Sequence, residues 1–93
     1  MIISFRCSET EKIFRRDRSR KLSHIIQQRA FAKLNQIDAA MRIEDMRLPP
    51  SNRLESLKGD RVGQWSIRIN DQWRICFRWT GTDAEDVEIM DYH

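Results

Sequence analysis

The sequence predicts an α+β fold in which two helices pack on one face of a mostly antiparallel sheet. Three features of the chain support this prediction. The chain begins with a short segment of β-branched and aromatic residues, and two stretches with helical periodicity follow without an internal proline or glycine. The second half contains three segments in which apolar and polar residues alternate, separated by polar turns. This order of a short N-terminal strand, two helices and a three-stranded meander fits a single domain over residues 1–93.

The N-terminal elements are predicted to be a strand and a short helix. Met1 to Arg6 forms the strand, because its isoleucines and phenylalanine favour extended backbone. Ser8 and Glu11 have the spacing of a capping box, in which each side chain accepts a hydrogen bond from the other residue's backbone N–H. The helix that they begin should end near Asp17.

A longer second helix is predicted from Ser23, which can cap it, to about Glu44. Apolar residues at steps of three and four form one stripe that should face the sheet. Pro49-Pro50 ends any helix and opens an irregular loop that continues through Ser56. The stripe consists of Ile26, Ala30, Leu34, Ile37 and Met41.

The sheet is predicted to contain strands over Gln64–Ile69, Trp73–Trp79 and Asp86–Tyr92, with residues 81–84 as the last turn. The alternation also determines the register of the first two strands. A two-residue loop at Asn70-Asp71 would mix apolar and charged side chains on both faces, whereas a three-residue loop makes one face wholly apolar. The three-residue loop pairs Ile69 with Trp73, Ile67 with Ile75 and Trp65 with Phe77.

Arginines occupy the other face of the predicted sheet. The register sets Arg68 directly across from Arg74, with Arg78 nearby, and like charges at facing positions destabilise a sheet. A phosphate bound over the pair would relieve the repulsion. A solvated outer face whose charges discourage aggregation explains the same pattern equally well.

Composition limits the classes of function. No segment approaches the roughly 20 apolar residues of a membrane span, and the first residues lack the basic leader and apolar region of a signal peptide. Cys7 and Cys76 are far apart and have no metal-site spacing with the histidines, so we expect packed, reduced thiols, no metal and no cofactor. These features predict a cytoplasmic protein with no membrane partner.

Positive charge is concentrated near the N-terminus. Residues 1–34 hold nine Lys and Arg against three Asp and Glu, whereas residues 35–93 hold eight against eleven. A basic half favours a polyanionic partner such as nucleic acid, or an acidic protein, although proteins that bind neither also carry such patches. The densest part lies between the predicted helices and is either a solvated connector or a contact to phosphate. We call it the basic run, and it comprises Arg15, Arg16, Arg18, Arg20 and Lys21.

A second set of polar residues has the chemistry that RNA cleavage without a metal requires. That reaction needs a base for the 2′-hydroxyl, cations for the charged transition state and an acid for the departing 5′-oxygen. Arginine and lysine supply the cations, His93 or Asp91 can be base or acid, and Tyr92 can stack on a base or donate a proton. With the predicted register, these residues converge on the open sheet face: Lys58, Arg68, Arg74, Asp91, Tyr92 and His93.

Each of these residues also has a purely structural interpretation. His93 ends the chain, where residues are usually mobile and without a role. Lys58 precedes Gly59-Asp60, which is turn chemistry, and surface lysines are common in turns. Asp91 and Tyr92 belong to the strand expected to pair with the arginine-bearing hairpin, which favours a role in the site.

Three segments resemble a known family. They are NRLESLKGDR at 52–61, GQWSIRINDQWRICF at 63–77 and the terminal DYH at 91–93. Their order, their spacing and the chain length are similar to those of HigB toxins, in the plasmid maintenance system killer branch of the RelE/ParE superfamily. The resemblance covers the whole chain, although residues 1–48 match mainly in pattern.

The resemblance implies a RelE-like fold and a toxin of a type II toxin–antitoxin system. Such toxins are ribosome-dependent mRNA interferases: they bind the ribosomal A site, cut the mRNA there and inhibit translation and growth. A HigA-like helix-turn-helix antitoxin is the implied partner, together with the ribosome and mRNA. The residues that match the family site are Lys58, Arg74, Asp91, Tyr92 and His93.

Two positions depart from the family pattern. Arg68 stands where some HigB proteins have a non-basic residue, and Glu55 stands where some have a histidine, which removes one acid–base group.

Two alternative functions follow from the same resemblance. ParE-like relatives share the scaffold but inhibit DNA gyrase, and they lack this lysine, arginine and terminal histidine set. The other alternative is a weakly active toxin that acts mainly as an antitoxin-binding module.

Overall fold

The computed structural model of the chain describes residues 1–19 and 21–91. It confirms the α+β architecture, with two helices on one face of a sheet whose strand order is β1-β2-β3-β4 and whose pairs are antiparallel. The apolar core lies between these two layers. The elements are α1 (Ser8–Phe14), α2 (His24–Ala39), β1 (Glu55–Ser56), β2 (Gln64–Arg68), β3 (Trp73–Trp79) and β4 (Ala84–Asp91).

The predicted register of the central hairpin is confirmed. Ile67 is the Cα partner of Ile75 and Trp65 that of Phe77, and the Ile69 N–H donates to the Trp73 carbonyl at 2.9 Å. The side chain of Asn70 closes the three-residue loop, because its Oδ1 accepts hydrogen bonds from the backbone N–H groups of Gln72 and Trp73. Burial of one apolar face therefore selects this register over its neighbours.

The sheet has one strand more than the sequence predicts. Residues 49–56 do not form an irregular loop throughout, because Glu55 pairs with Ser66 and Ser56 with Trp65 to make β1. A two-residue polar strand has no alternation to detect, so only its pairing partner reveals it. The predicted three-stranded meander is therefore a four-stranded one.

The N-terminal segment forms the outer edge of the sheet but is not a regular strand over Met1 to Arg6. It makes two isolated parallel bridges to β4, Ile2 to Ala84 and Phe5 to Val87. This pairing explains why β4 begins at Ala84, two residues earlier than the predicted Asp86. The β3–β4 ladder is irregular between Cys76 and Arg78, where β4 contains one residue more than β3.

The second helix confirms its predicted start and most of its buried stripe. Ser23 caps it by accepting a hydrogen bond from the Ile26 N–H at 3.4 Å, and Ala30, Leu34 and Ile37 are buried. Its predicted end at Glu44 is wrong, because the helix stops at Ala39 and leaves Met41 78% exposed.

Asp45 accounts for this early end. Its carboxylate accepts hydrogen bonds from the backbone N–H groups of Met41 and Arg42 at 2.9 and 3.0 Å and begins a 3₁₀ turn over Ile43–Arg47. The same two bonds hold the pKa of Asp45 below its usual value. A local side-chain cap thus interrupts an apolar period that would otherwise continue the helix.

The predicted capping box of the first helix is wrong. Cys7 is the N-cap residue and makes no side-chain cap, Ser8 is already helical, and the Glu11 carboxylate accepts from Arg15 at 3.0 Å. The helix ends in a Schellman-type arrangement, with Arg16 in the left-handed region at φ 66°. At the start of the helix, the expected reciprocal cap between Ser8 and Glu11 is thus replaced by an ion pair between Glu11 and Arg15, one turn further along.

A buried asparagine holds the segment between α2 and β1 in place. Asn52 is fully buried, and its Nδ2 donates to Gln36 Oε1 at 3.0 Å, to the Met46 carbonyl at 3.1 Å and to the Leu48 carbonyl at 3.3 Å. Its Oδ1 accepts from Lys33, and burial lowers the pKa of that amine. Asn52 thereby connects α2 with the 3₁₀ turn and with the chain that enters the sheet.

Candidate active site

The sheet face opposite the helices is more enclosed than its sequence suggests. The register and the pleat place Ser66, Arg74 and Cys76 on this face, and all three are buried. The open, solvated face of the sequence-based prediction is therefore wrong at its centre. The Arg74 side chain extends across to β2, where it donates a hydrogen bond to Ser66.

Arg74 is held rigidly at this centre. Its side chain is 8% exposed; its Nε donates to Ser66 Oγ at 2.9 Å and its Nη2 to the Arg53 carbonyl at 2.7 Å. The Glu55 carboxylate lies 3.9 Å from Nη2. Arg53 adopts a left-handed conformation at φ 45° at the end of the Pro50–Asn52 turn. The guanidinium is thus placed by two segments of the chain, residues 53–55 and β2.

The predicted facing pair of arginines is confirmed at the backbone, but the two side chains have different acceptors. Arg68 and Arg74 are Cα partners. Arg68 forms an ion pair with Asp71 in the hairpin loop, whereas Arg74 points toward Ser66 and Glu55. Two separate carboxylates therefore offset the repulsion, and no shared anion is required for folding.

Lys58 lies in the loop between β1 and β2. It is exposed and precedes the 3₁₀ turn Gly59–Arg61, in which the Arg61 N–H donates to the Lys58 carbonyl at 3.3 Å. Gly63 ends the loop at φ 93°, and a Cβ there would come within 3.1 Å of Arg78 Nη1. Arg78, which is exposed, therefore lies against the same loop that carries Lys58.

Asp91 is not on the face that carries Arg74. Its Cα partner is Trp73, which packs against the core, and its carboxylate accepts from Gln72 Nε2 at 3.1 Å. Because Met90 is the partner of Arg74, strand alternation turns Asp91 to the opposite side. The predicted convergence is wrong for this residue. Tyr92 and His93 lie outside the described residues.

The described residues of the basic run lie on the helical layer and not beside Arg74. Arg15 pairs with Glu11 on α1, and the Arg16 guanidinium lies 4.5 Å from the centre of the Phe31 ring. Arg16 and Arg18 line an open groove of about 770 Å³ beside the start of α2. Lys21 is exposed and lines a separate cavity of about 130 Å³, and Arg20 is outside the described residues.

Both cysteines are free thiols, and burial raises the pKa of Cys76. Within residues 1–19 and 21–91, no group of three or more His, Cys, Asp or Glu side chains is arranged to hold a metal ion. In the same part of the chain, no helix has the length and apolar character needed to cross a bilayer. The polar groups that the described site offers are chiefly guanidinium, ammonium, hydroxyl and carboxylate groups.

Sequence reasoning did not identify several residues that build the site. Ser66 and the Arg53 carbonyl orient Arg74, and an ion pair between Arg61 and Glu88 spans the same face at 3.3 Å. The predicted register already placed Ser66 on the same sheet face as Arg74, so the contact between them could have been inferred from the sequence. A backbone carbonyl from another segment has no sequence signal at all.

Comparison with known proteins identifies the family. A profile of the RelE-like toxin HigB of type II toxin–antitoxin systems matches residues 3–93. The chain is 39% identical over 80 residues to Toxin HigB-1 of Vibrio cholerae, covering 85% of this chain and 84% of the relative. It is also 39% identical over 61 residues to a Proteus vulgaris protein named Endoribonuclease HigB, covering 66% and 65% of the two chains.

A solved structure agrees with this at the level of the fold. The YoeB/ParE toxin from Agrobacterium tumefaciens superimposes with a TM-score of 0.54 at 20% identity, over the full length of both chains. The fold is therefore RelE-like. Together with the profile match, these comparisons show that the chain belongs to the HigB-like family of type II toxin–antitoxin toxins.

Proposed function

We propose that this protein is a ribosome-dependent endoribonuclease that cleaves mRNA in the ribosomal A site and so inhibits translation and growth. The observation that carries the proposal is the buried, preorganised guanidinium of Arg74, which Ser66, the Arg53 carbonyl and Glu55 hold in place. The name of the Proteus vulgaris relative supports an RNase activity. Membership in a type II toxin family implies an antitoxin partner, which we propose is a HigA-like helix-turn-helix protein.

In the proposed reaction, cationic side chains of this chain stabilise the charge that develops on the phosphate. A fixed guanidinium is effective because no reorganisation is needed when that charge appears. Lys58 and Arg68 add further positive charge near the scissile phosphate. We propose His93 as an acid–base group and Tyr92 as a stacking or proton-donating residue, in a reaction that uses no metal or cofactor.

We further propose that the basic run and Arg78 bind RNA, in the cytoplasm where ribosomes operate. The groove beside Phe31 supports this, since Arg16 and Arg18 line it together with His24. Arg16 keeps a left-handed backbone, which is costly for a residue with a side chain. Its contact with Phe31 holds the guanidinium at the groove, where it can face phosphate.

Neutralising the basic run should weaken ribosome binding. We expect the variant R15Q/R18Q/K21Q to bind ribosomes at least tenfold more weakly at low salt, because each lysine or arginine that contacts phosphate releases counterions on binding. The slope of log affinity against log salt should become shallower by about two to three. Filter binding across a salt series measures both quantities.

A matched variant separates contact from overall charge. R6Q/R42Q/R47Q removes the same three charges from exposed positions outside the run, and it should keep most of the affinity and the slope. Equal behaviour of the two variants would show that the run is a solvated connector.

Primer extension on a defined mRNA in a reconstituted translation reaction tests the function itself. With untagged protein we expect new mRNA ends within A-site codons, and only when ribosomes are present. Intact mRNA in a reaction with protein that still arrests growth would refute cleavage, and a gyrase supercoiling assay would then test the ParE-like alternative. Intact mRNA without growth arrest would favour an antitoxin-binding module.

A further inference from the structure

One ion pair crosses the sheet face beside the candidate active site. Arg61 Nη1 donates to Glu88 Oε1 at 3.3 Å and to Gln64 Oε1 at 3.1 Å. Glu88 lies on β4, whereas Arg61 lies in the loop before β2. The Arg61 side chain therefore extends past β3, on which Cys76 is the Cα partner of Glu88. The Arg61 and Glu88 side chains are 34% and 17% exposed, so solvent screens the pair only partly.

The pair joins the two parts of the chain that flank Arg74. Arg61 ends the 3₁₀ turn that begins directly after Lys58. Glu88 stands on β4, which pairs with β3 beside Arg74 through Met90. The two ends of the ion pair are therefore in the loop that carries Lys58 and in the strand next to Arg74.

The described hydrogen bonds of this loop are otherwise short-range. The Arg61 N–H donates to the Lys58 carbonyl and the Val62 N–H to the Gly59 carbonyl. The Leu57 N–H extends the β1–β2 ladder by donating to the Gln64 carbonyl at 2.8 Å. Among the described contacts, the Arg61 side chain is the one that links the loop to β4.

We infer that Arg61 and Glu88 form a strap that holds the loop over the sheet face and so positions Lys58 for the reaction at Arg74. Both are positioning residues, since they act through Lys58. The inference rests on the proposed function for its catalytic part. Its structural part, the attachment of the loop to β4, stands independently of any activity.

Amide hydrogen exchange tests the attachment without reference to activity. Glu88→Gln keeps the size of the side chain and removes its charge, and we expect exchange across residues 57–63 to accelerate at least fivefold while the α2 amides keep their rates. Asp86→Asn is the matched control, because Asp86 is exposed on the same strand and asparagine tolerates its φ of 53°. Unchanged exchange in Glu88→Gln would overturn the strap.

Single-turnover mRNA cleavage on programmed ribosomes tests the positioning role. Glu88→Gln should lower the maximal rate about tenfold with less than a twofold change in apparent ribosome affinity, and Arg61→Lys, which keeps the charge, should retain more activity than Arg61→Gln. In a Lys58→Ala background, Glu88→Gln should have little further effect.

The possible failures are distinguishable. An equal tenfold loss in both backgrounds would show that Glu88 does not act through Lys58 and would overturn the positioning role. Absence of cleavage by the unaltered protein would refute the proposed function, while hydrogen exchange would still decide whether the strap exists.

Discussion

Replacing Arg74 by lysine is expected to lower ribosome-dependent cleavage by two to three orders of magnitude, the loss typical of removing a preorganised transition-state donor. Lysine keeps the positive charge, but its single ammonium group cannot bond Ser66 Oγ and the Arg53 carbonyl in the fork geometry of a guanidinium. The charge would remain and its placement would be lost. Single-turnover cleavage on programmed ribosomes measures the effect, with ribosome affinity measured in parallel.

Two comparisons test the interpretation of that result. Arg68→Lys makes the same chemical change directly across the hairpin, where the side chain is more exposed and pairs with Asp71, and it should cost about tenfold or less. Ser66→Ala removes only the hydroxyl that orients Nε and should fall between the two. An Arg74→Lys protein that is folded and retains more than a tenth of the wild-type rate would contradict the assigned role.

Arg74→Lys should also leave the buried Ser66 hydroxyl without its charged donor. A buried group that loses its partner costs roughly 1–3 kcal/mol, a sizeable share of a small domain's total stability of about 5–15 kcal/mol. Thermal unfolding of each variant is therefore needed to separate a loss of chemistry from a loss of folded protein.

Asn52→Ala is expected to produce the largest loss of stability, about 2–4 kcal/mol in the free energy of unfolding. Asn52 is fully buried, and the substitution removes the donor to the Met46 and Leu48 carbonyls as well as the acceptor for Lys33. Alanine cannot replace any of these bonds, and water reaches the site poorly. Urea unfolding at constant temperature measures the change, provided that the m-value is unaltered.

Asn35→Ala is the matched control for this prediction. Asn35 lies on the exposed side of α2 and bonds only locally, to the Phe31 carbonyl at 3.0 Å. Its loss should change the free energy of unfolding by no more than about 0.5 kcal/mol. If the two asparagine variants unfold at the same urea concentration, Asn52 does not have the central role that its contacts indicate.

Asn52→Ala should also reduce activity in the protein that remains folded. Asn52 is followed by Arg53, whose carbonyl accepts from Arg74. Loosening the 46–52 segment therefore disturbs the placement of the candidate catalytic guanidinium, which connects the stability of this segment to the site.

Elements that repeat a simple period were predictable from the sequence. The hairpin register followed from apolar alternation, because a shift of one residue would expose every buried side chain of a strand. The Ala30, Leu34 and Ile37 stripe followed from helical periodicity, and Ser23 from the chemistry of capping. The same alternation also contained the evidence that Asp91 faces away from Arg74, since it follows Met90 in an extended strand.

Features that depend on one polar partner were not predictable in this way. The capping role of Asp45, the pairing of Glu11 with Arg15 and the strand Glu55–Ser56 each replaced an expectation based on periodicity or motif. In each case a single hydrogen-bonding choice decided between local structures of similar propensity. Which hydrogen bond forms at such a position depends on which partner the rest of the fold brings close to it.

The sequence by itself therefore determined the order of the layers, the hairpin register and which face carries Arg74. Only the tertiary structure decided how that arginine is held, because its partner at Arg53 is 21 residues away in the chain and the partner of Arg61 at Glu88 is 27 residues away. Hydrophobic burial acts on every member of a periodic pattern and leaves a repeated signal in the sequence. A buried hydrogen bond acts on one pair of atoms, and its partner becomes known only when the chain has folded around it.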